Sequence, residues 1–462
     1  MTNTREVDEE TPLLRTEQKK TPLPWFQFGL VLFLQLGEPL TSQVIYPFAP
    51  QLIRDLGITG GDESKVGYYV GIMQSLFFLT QAFTVLHWSR LSDSVGRKPV
   101  ILIGLFGLSV SMYCFGLSTT FVGLVLSRAL NGALNGNIGV IKSMMAELTD
   151  STNISQAYAY MPIAWSTGGT LGPIIGGSLS RPAERFPTLF GNNEFLKKYP
   201  YFLPCAVPAT YTLLAWIVTY LLLKETVKHP KPLKQVFFKS KEEKKLNQIS
   251  NSQTIIHEID DQEKPLPLRS LFTFQVVIAG TNYAFLALVD IAFRAIQPLF
   301  FSTPIELGGL GLAPPTIGNI LSSFGVLNGV FQIFFFAKIH DYWGSKKVFM
   351  AGIAVQGYSA GLWFAVGTQV VLSIMPSLSY GAIFIFIAGA SPNKASLGAT
   401  NGLCQVAVSV MRALGPAVTN SMFSLSIANN YLGGYMVYYM LVVIGGVALL
   451  VATRLPSSMT RP

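Results

Sequence analysis

Long apolar runs alternate with short polar connectors over nearly the whole chain. A helix needs about 20 apolar residues to cross a bilayer, and by that measure the pattern predicts twelve spans. Six lie near 25–49, 67–87, 100–118, 121–142, 157–180 and 202–223. Six more lie near 273–300, 317–338, 348–367, 370–390, 399–427 and 433–453. The runs are continuous rather than alternating residue by residue, which favours helices over a β-barrel. A polar segment holding Lys239-Ser240-Lys241-Glu242-Glu243-Lys244-Lys245 and Asp260-Asp261 separates the two groups and reads as a solvated linker. The expected organisation is a tail at 1–24, a six-helix bundle at 25–223, a linker at 224–271, a second six-helix bundle at 272–453 and a tail at 454–462.

The two groups repeat one another. A charged connector reads Asp93-Ser94-Val95-Gly96-Arg97-Lys98 in the first and Asp341-Tyr342-Trp343-Gly344-Ser345-Lys346-Lys347 in the second. Pro47 near the end of the first span matches Pro298 near the end of the seventh, and Gly172-Pro173 in the fifth matches Gly415-Pro416 in the eleventh. Order and offset agree, so the pattern predicts two pseudo-symmetric halves, as in many secondary transporters. The second copy inserts Ser345 before its lysines, so Asp93, Gly96 and Arg97 are expected to matter more than Asp341 and its neighbours.

Composition supports an all-α membrane protein. Charged residues make up 12% of the chain, against about 25% in a soluble domain. The net charge of +9 would suit nucleic acid if it were clustered on a surface. It falls instead in the connectors, as the positive-inside rule predicts, so no nucleic-acid partner is expected. Lys19, Lys20, Arg90, Arg97, Lys98, the linker, Lys338, Lys346, Lys347, Arg454 and Arg461 share one side, which makes both termini cytoplasmic. The segment 181–198, with Arg181, Arg185, Lys197 and Lys198, is an exception on the far side. This topology leaves the sequon Asn153-Ile154-Ser155 unused. No secretory signal opens the chain, and Glu9-Glu10-Thr11-Pro12-Leu13-Leu14 fits an acidic dileucine pattern. The cell membrane is the expected location, with the vacuolar membrane as alternative.

Cys114, Cys205 and Cys404 lie in apolar runs and read as buried small hydrophobes. The four histidines do not cluster, so neither metal nor cofactor is expected. No nucleophile–base constellation suggests an enzyme.

The motifs resemble those of the major facilitator superfamily. The loop pattern Gly-x-Leu-Ala-Asp-Arg-x-Gly-Arg-Lys is matched by residues 89–98, with Ser89 and Ser94 as departures. The fourth-span pattern Arg-x-x-Gln-Gly is matched by Arg128-Ala129-Leu130-Asn131-Gly132. The fifth-span pattern is met without departure by Gly168, Gly172, Pro173, Gly176 and Gly177 in Gly168-Gly169-Thr170-Leu171-Gly172-Pro173-Ile174-Ile175-Gly176-Gly177. In that family this last motif is typical of proton-coupled drug and metabolite exporters. Residues 135–142 and 398–402 look like the tetracycline-resistance and zinc-induced-facilitator-like branch, which includes transporters encoded in mushroom metabolite clusters such as the psilocybin cluster. The resemblance implies alternating access by two rocking bundles, a small organic substrate, coupled protons and a monomer in the bilayer. It also implies a conformational latch at Asp93, Gly96, Arg97 and Lys98, echoed by Asp341, Gly344 and Lys346.

Charges inside a span cost about 2.5–3.5 kcal/mol on insertion scales and are usually paired or functional. Glu38, Arg128, Asp290, Arg294 and Arg412 are therefore the candidates for proton coupling. Asp290 and Arg294 are four apart on one helical face and can pair. The Pro47–Pro298 register brings Glu38 to nearly the depth of Asp290. Gln43, Tyr46, Asn135, Gln297, Asn328, Gln332, Asn401 and Gln405 are the expected cavity residues, a polar but mostly uncharged set suited to a small amphiphilic molecule. The expected function is proton-coupled export. The alternatives are an importer or uniporter on the same fold and a non-transporting sensor or scaffold.

Overall fold

A computed structural model of the protein describes residues 21–150, 152–227, 268–355, 375–392 and 397–456. Among these every regular element is helical. The first half contains α1 (Trp25–Gln35), α2 (Gly37–Gln43), α3 (Ala49–Asp55), α4 (Val66–Val95), α5 (Arg97–Gly116), α6 (Phe121–Leu134), α7 (Asn137–Glu147) and α8 (Ile154–Leu179). Three short helices follow, α9 (Pro182–Arg185), α10 (Pro187–Phe190) and α11 (Glu194–Lys198), and α12 (Phe202–Leu222) completes the half. The second half contains α13 (Phe274–Ser302), α14 (Pro314–Val355), α15 (Met375–Ala390), α16 (Leu397–Ala428) and α17 (Met436–Ala452).

Two expected spans are broken, and each break faces the interior. The first becomes α1, α2 and α3, interrupted at Leu36 and again around Pro47. The fourth becomes α6 and α7, interrupted at Asn135 and Gly136. Broken backbone at membrane depth is tolerated where it is buried in protein or lines a cavity. Five helices of the described residues are long and apolar enough to cross a membrane unbroken. Large apolar side chains, including Phe83, Val122, Leu126, Leu221, Val443 and Leu450, stay exposed on the outer faces. In water such coverage would be an aggregation hazard, whereas it suits lipid. Cys205 and Cys404 are buried as expected, but Cys114 is exposed.

The charged connectors differ from expectation. In the first half α4 continues through Asp93 to Val95, so the connector shrinks to Gly96 alone. Gly96 has φ +111°, a conformation that side chains rarely adopt. In the second half α14 runs unbroken from Pro314 to Val355, so the expected turn at Asp341 lies within a helix. The reason lies at the glycines: Gly96 turns the chain through its positive φ, whereas Gly344 falls inside α14. Residues 356–367 of the expected ninth span and most of the expected linker, 228–267, lie outside the described residues.

Basic residues at 181–198 have local partners. Arg181 meets Glu184 at 2.9 Å and Asp55 at 3.7 Å, and Lys197 meets Glu194 at 3.3 Å. Arg185 donates to the carbonyls of Gly177 and Ser178, the last of α8, where a cation complements the helix dipole.

The glycines of the fifth-span motif set the helix spacing. Gly168 packs on Pro39 and Leu40, Gly172 on Gln43 and Val44, and Gly176 on the Val44 carbonyl. On another face Gly177 packs on Pro314 and Gly318 of the opposite half. Small residues at this spacing let helix backbones approach closely. The halves meet at both ends. At one, Arg54 Nη2 donates to the Ser302 carbonyl at 3.0 Å. At the other, Gly398 packs on Asp93 and Ser143, and Gly402 on Leu86 and Ser89. Between them Ser409 donates to Gln81 at 3.1 Å and Asn328 to Ser166 at 2.9 Å.

A side chain at position 176 would land on backbone that cannot yield. Gly176→Val is expected to cost about 1–3 kcal/mol or more through overpacking. Gly445→Val in α17, where a Cβ meets nothing within 4 Å, is expected to be near neutral. Thermal unfolding of the detergent-purified variants measures the difference, and equal midpoints would contradict it.

Candidate functional site

A cavity of about 110 Å³ lies between the halves. The break in the first span supplies Gln35, Glu38, Ser42, Gln43 and Tyr46 to its wall. α7 and α8 supply Lys142, Trp165 and Ser166, and the second half supplies Tyr283, Asp290, Arg294, Asn328, Tyr380, Phe384 and Arg412.

Asp290 and Arg294 form the expected pair on α13, with Arg294 Nε donating to Asp290 Oδ1 at 2.8 Å. Tyr380 donates its hydroxyl to the other oxygen, Oδ2, at 3.1 Å. Arg412 Nη2 donates to the same hydroxyl at 3.4 Å, so the second half carries one network, Arg412 to Tyr380 to Asp290 to Arg294. Glu38 faces this network from the first half. Arg412, Lys142 and Asn135 are its electrostatic neighbours. Among the described residues no cation lies within ion-pair range of it.

Four of the five coupling candidates thus line the cavity. Arg128 stands apart: it is buried with its guanidinium 4.8 Å from the Phe77 ring, and its Nε has no hydrogen-bond partner among the described residues. Of the expected cavity residues, Gln43, Tyr46 and Asn328 line the wall. Asn135, Gln297, Asn401 and Gln405 are buried behind it, where Gln405 accepts from the Tyr283 hydroxyl at 3.4 Å. The side chains of Gln332 and Asp341 lie outside the described residues. Lys346 Nζ donates to the Thr453 carbonyl at 3.0 Å.

The cavity is charged, which corrects the expectation of a mostly uncharged one. Glu38, Lys142, Asp290, Arg294 and Arg412 all reach it, and aromatic rings fill much of the remaining wall. Lys142 was missed as a site residue because the expected span ends at 142, where a lysine reads as a membrane-edge cation. The helical break at Asn135–Gly136 lets α7 run on to Glu147 and carries Lys142 inward. The apolar Met144, Met145 and Ala146 that follow it were the available signal.

A second charged cluster lies where Asp93 meets Gly398. Arg97 Nη2 meets Glu147 at 2.8 Å, and its Nη1 bonds Asp93 and, at 2.6 Å, the Ser92 hydroxyl. Glu225 accepts the backbone N–H groups of Arg97 at 2.9 Å and Lys98 at 3.0 Å, capping α5. Capping by an acid suits the positive end of a helix. The Lys98 ammonium lies 5.9 Å from the Tyr220 ring.

Split helices around a central charged cavity, in two repeated halves, are the architecture of many transporters. The model of the Major Facilitator Superfamily matches residues 31–304, and the chain belongs to that family. It is 28% identical to "Major facilitator-type transporter psiT2" of Psilocybe cyanescens, over 91% of this chain and 88% of the relative. It is 26% identical to "Efflux pump azaK" of Aspergillus niger, over 95% and 89%. With "Protein ZINC INDUCED FACILITATOR-LIKE 1" of Arabidopsis thaliana it shares 29% identity, over 87% and 85%. The human organic anion transporter MFSD10 has the same fold, with a TM-score of 0.65 at 17% identity, covering 94% of this chain and 100% of that one.

Arg97 is held by two acids, and its side chain is only 7% exposed. Arg97→Ala leaves both carboxylates without their cation and is expected to cost about 3 kcal/mol. Lys98→Ala is expected to cost under about 1 kcal/mol. Denaturant or thermal melts of both variants check the ranking.

Proposed function

We propose that the protein is a proton-coupled exporter of a small organic molecule, working by alternating access. The observation that carries this reading is Glu38, a cavity carboxylate outside any ion pair among the described residues. Asp290, by contrast, is tied to Arg294 and Tyr380. A carboxyl without a fixed counter-ion is the group best placed to take up and release a proton as its surroundings change. Asp290 and Arg294 then keep the second half's charge balanced, and Arg412 senses Asp290 through Tyr380.

Export is favoured by the uninterrupted fifth-span motif and by relatives named as an efflux pump and a multidrug transporter. The basic connectors favour a cytoplasmic side for both termini, and the membrane this reading implies is the cell membrane or the vacuolar membrane. On that side Asp93 rests against Gly398 in the first turn of α16, where the helix dipole favours an anion. We assign Asp93, Gly96, Arg97 and Lys98 to a latch that holds the halves together there and releases as the cavity opens.

In sealed vesicles containing the purified protein, an imposed proton gradient is expected to drive substrate against the proton flow. Glu38→Gln is expected to lower this driven transport about a hundredfold while leaving substrate exchange without a gradient intact. Asp290→Asn is expected to lose folded protein as well, because breaking a buried pair costs about 3–5 kcal/mol. Substrate moving with the protons would make the protein an importer. Gradient-driven transport by the Glu38→Gln variant would remove Glu38 from the mechanism.

A further inference from the structure

The charge of the cavity indicates what it binds. Lys142, Arg294 and Arg412 face it against two carboxylates, Glu38 and Asp290, which leaves one positive charge in excess. Arg294 is neutralised by Asp290 at 2.8 Å. Lys142 and Arg412 are not. They are 5% and 8% exposed, and among the described residues neither has a carboxylate within ion-pair range. Lys142 has a single hydrogen bond, to the Tyr283 hydroxyl at 3.3 Å, and Arg412 has a long one to Tyr380.

Aromatic faces already serve these two cations. The Lys142 ammonium lies 4.2 Å from the Phe384 ring centre and 5.0 Å from that of Tyr283. The Arg412 guanidinium lies 5.9 Å from Phe78 and 6.0 Å from Trp165. Rings that could otherwise cage a cationic ligand are thus engaged by the protein's own cations. An aromatic or amphiphilic body fits among them, and its complementary charge is negative.

We propose that the cavity selects organic anions, molecules with an aromatic body and one carboxylate or similar acidic group, and that Lys142 and Arg412 grip that group from opposite halves. Lys142 stands on α7 of the first half and Arg412 on α16 of the second. One anion between them links the halves across the cavity and removes the excess charge. Glu38 competes with the anion for both cations, so its protonation strengthens binding. The inference deepens the transporter reading and rests on it for the cavity's role, but binding is measurable without transport.

Three probes of one shape test it: 2-naphthoate, 2-naphthamide and 2-naphthylmethylammonium. Equilibrium binding to the full-length purified protein is followed by quenching of tryptophan fluorescence. A Trp165→Phe variant identifies the signal from the cavity. The naphthoate is expected to bind about tenfold or more tightly than either relative, a difference of about 1.4 kcal/mol or more. Lys142→Gln and Arg412→Gln are expected each to weaken naphthoate binding about tenfold while leaving naphthamide binding unchanged. Lys142→Arg is expected to keep it. A lysine that merely pins the aromatic cluster would instead weaken all three probes together. Failure of the naphthoate to bind, or equal or tighter binding of the amide or the ammonium, overturns the proposal. Because the wild-type series needs no variant, misfolding of a mutant leaves the test decisive. Selective anion binding without gradient-driven transport would overturn the exporter reading and leave this one standing.

Discussion

The structure turns on the removal of charge from water. A charged side chain taken into an apolar interior loses several kcal/mol of hydration, even after local relaxation. Five such side chains meet in the central cavity, and a sixth, Arg128, is buried beside it. The cations and Asp290 are compensated in three ways, while Glu38 has no ion pair among the described residues. Asp290 and Arg294 pair directly and share Tyr380. Arg412 leans on the Tyr380 hydroxyl, and Lys142 and Arg128 lie against aromatic rings. A desolvated cation–π contact contributes about 2 kcal/mol, less than the hydration it replaces. The interior therefore stays electrostatically unfinished, and a cavity open to water or ligand is what makes that tolerable.

The helix breaks serve the same constraint. An unbroken first span would bury Glu38 against continuous helix. The interruptions at Leu36 and around Pro47 instead open the wall at Glu38, Gln43 and Tyr46. Such segments need support, and the glycine face of α8 supplies it. Gly168, Gly172 and Gly176 let α2 and the chain after it approach within backbone contact. The fifth-span motif thus acts on the site indirectly, by holding the broken helix in place. Its neighbour Gly177 packs on α14 of the other half, so one helix face fixes both the cavity wall and a junction between halves.

The parts legible in sequence were those with a local cause. Helix positions followed from apolar length, and Glu38, Asp290, Arg294 and Arg412 stood out because charge is costly inside a span. The i, i+4 spacing alone predicted the Asp290–Arg294 pair. Lys142 escaped because its depth depends on where α7 restarts, and that Arg128 stands beside the cavity rather than in its wall was not legible because a helix's facing direction is a tertiary property. Two of the acids that meet Arg97 escaped for the same reason: Glu147 lies 50 residues away in sequence and Glu225 128. Neither acid belongs to the loop motif that made Arg97 conspicuous.

The halves share a pattern but divide its labour. The first contributes a lone acid, Glu38, and a lone cation, Lys142, on separate broken spans. The second contributes a closed network on α13, α15 and α16. The Asp290–Arg294 pair within it holds its charges whatever the other half does. Lone charges change their energy when the halves move: the first electrostatic neighbour of Glu38 is Arg412, across the cavity. Energy that depends on the relative position of two rigid parts is what couples binding to conformational change. The sharp turn is unequal as well: Gly96 adopts a conformation that side chains rarely adopt, whereas residue 344 lies within a continuous helix. Both asymmetries put the lone acid and the sharp turn on the first half and the fixed Asp290–Arg294 pair on the second, so the duplicated sequence has become two unlike parts of one device.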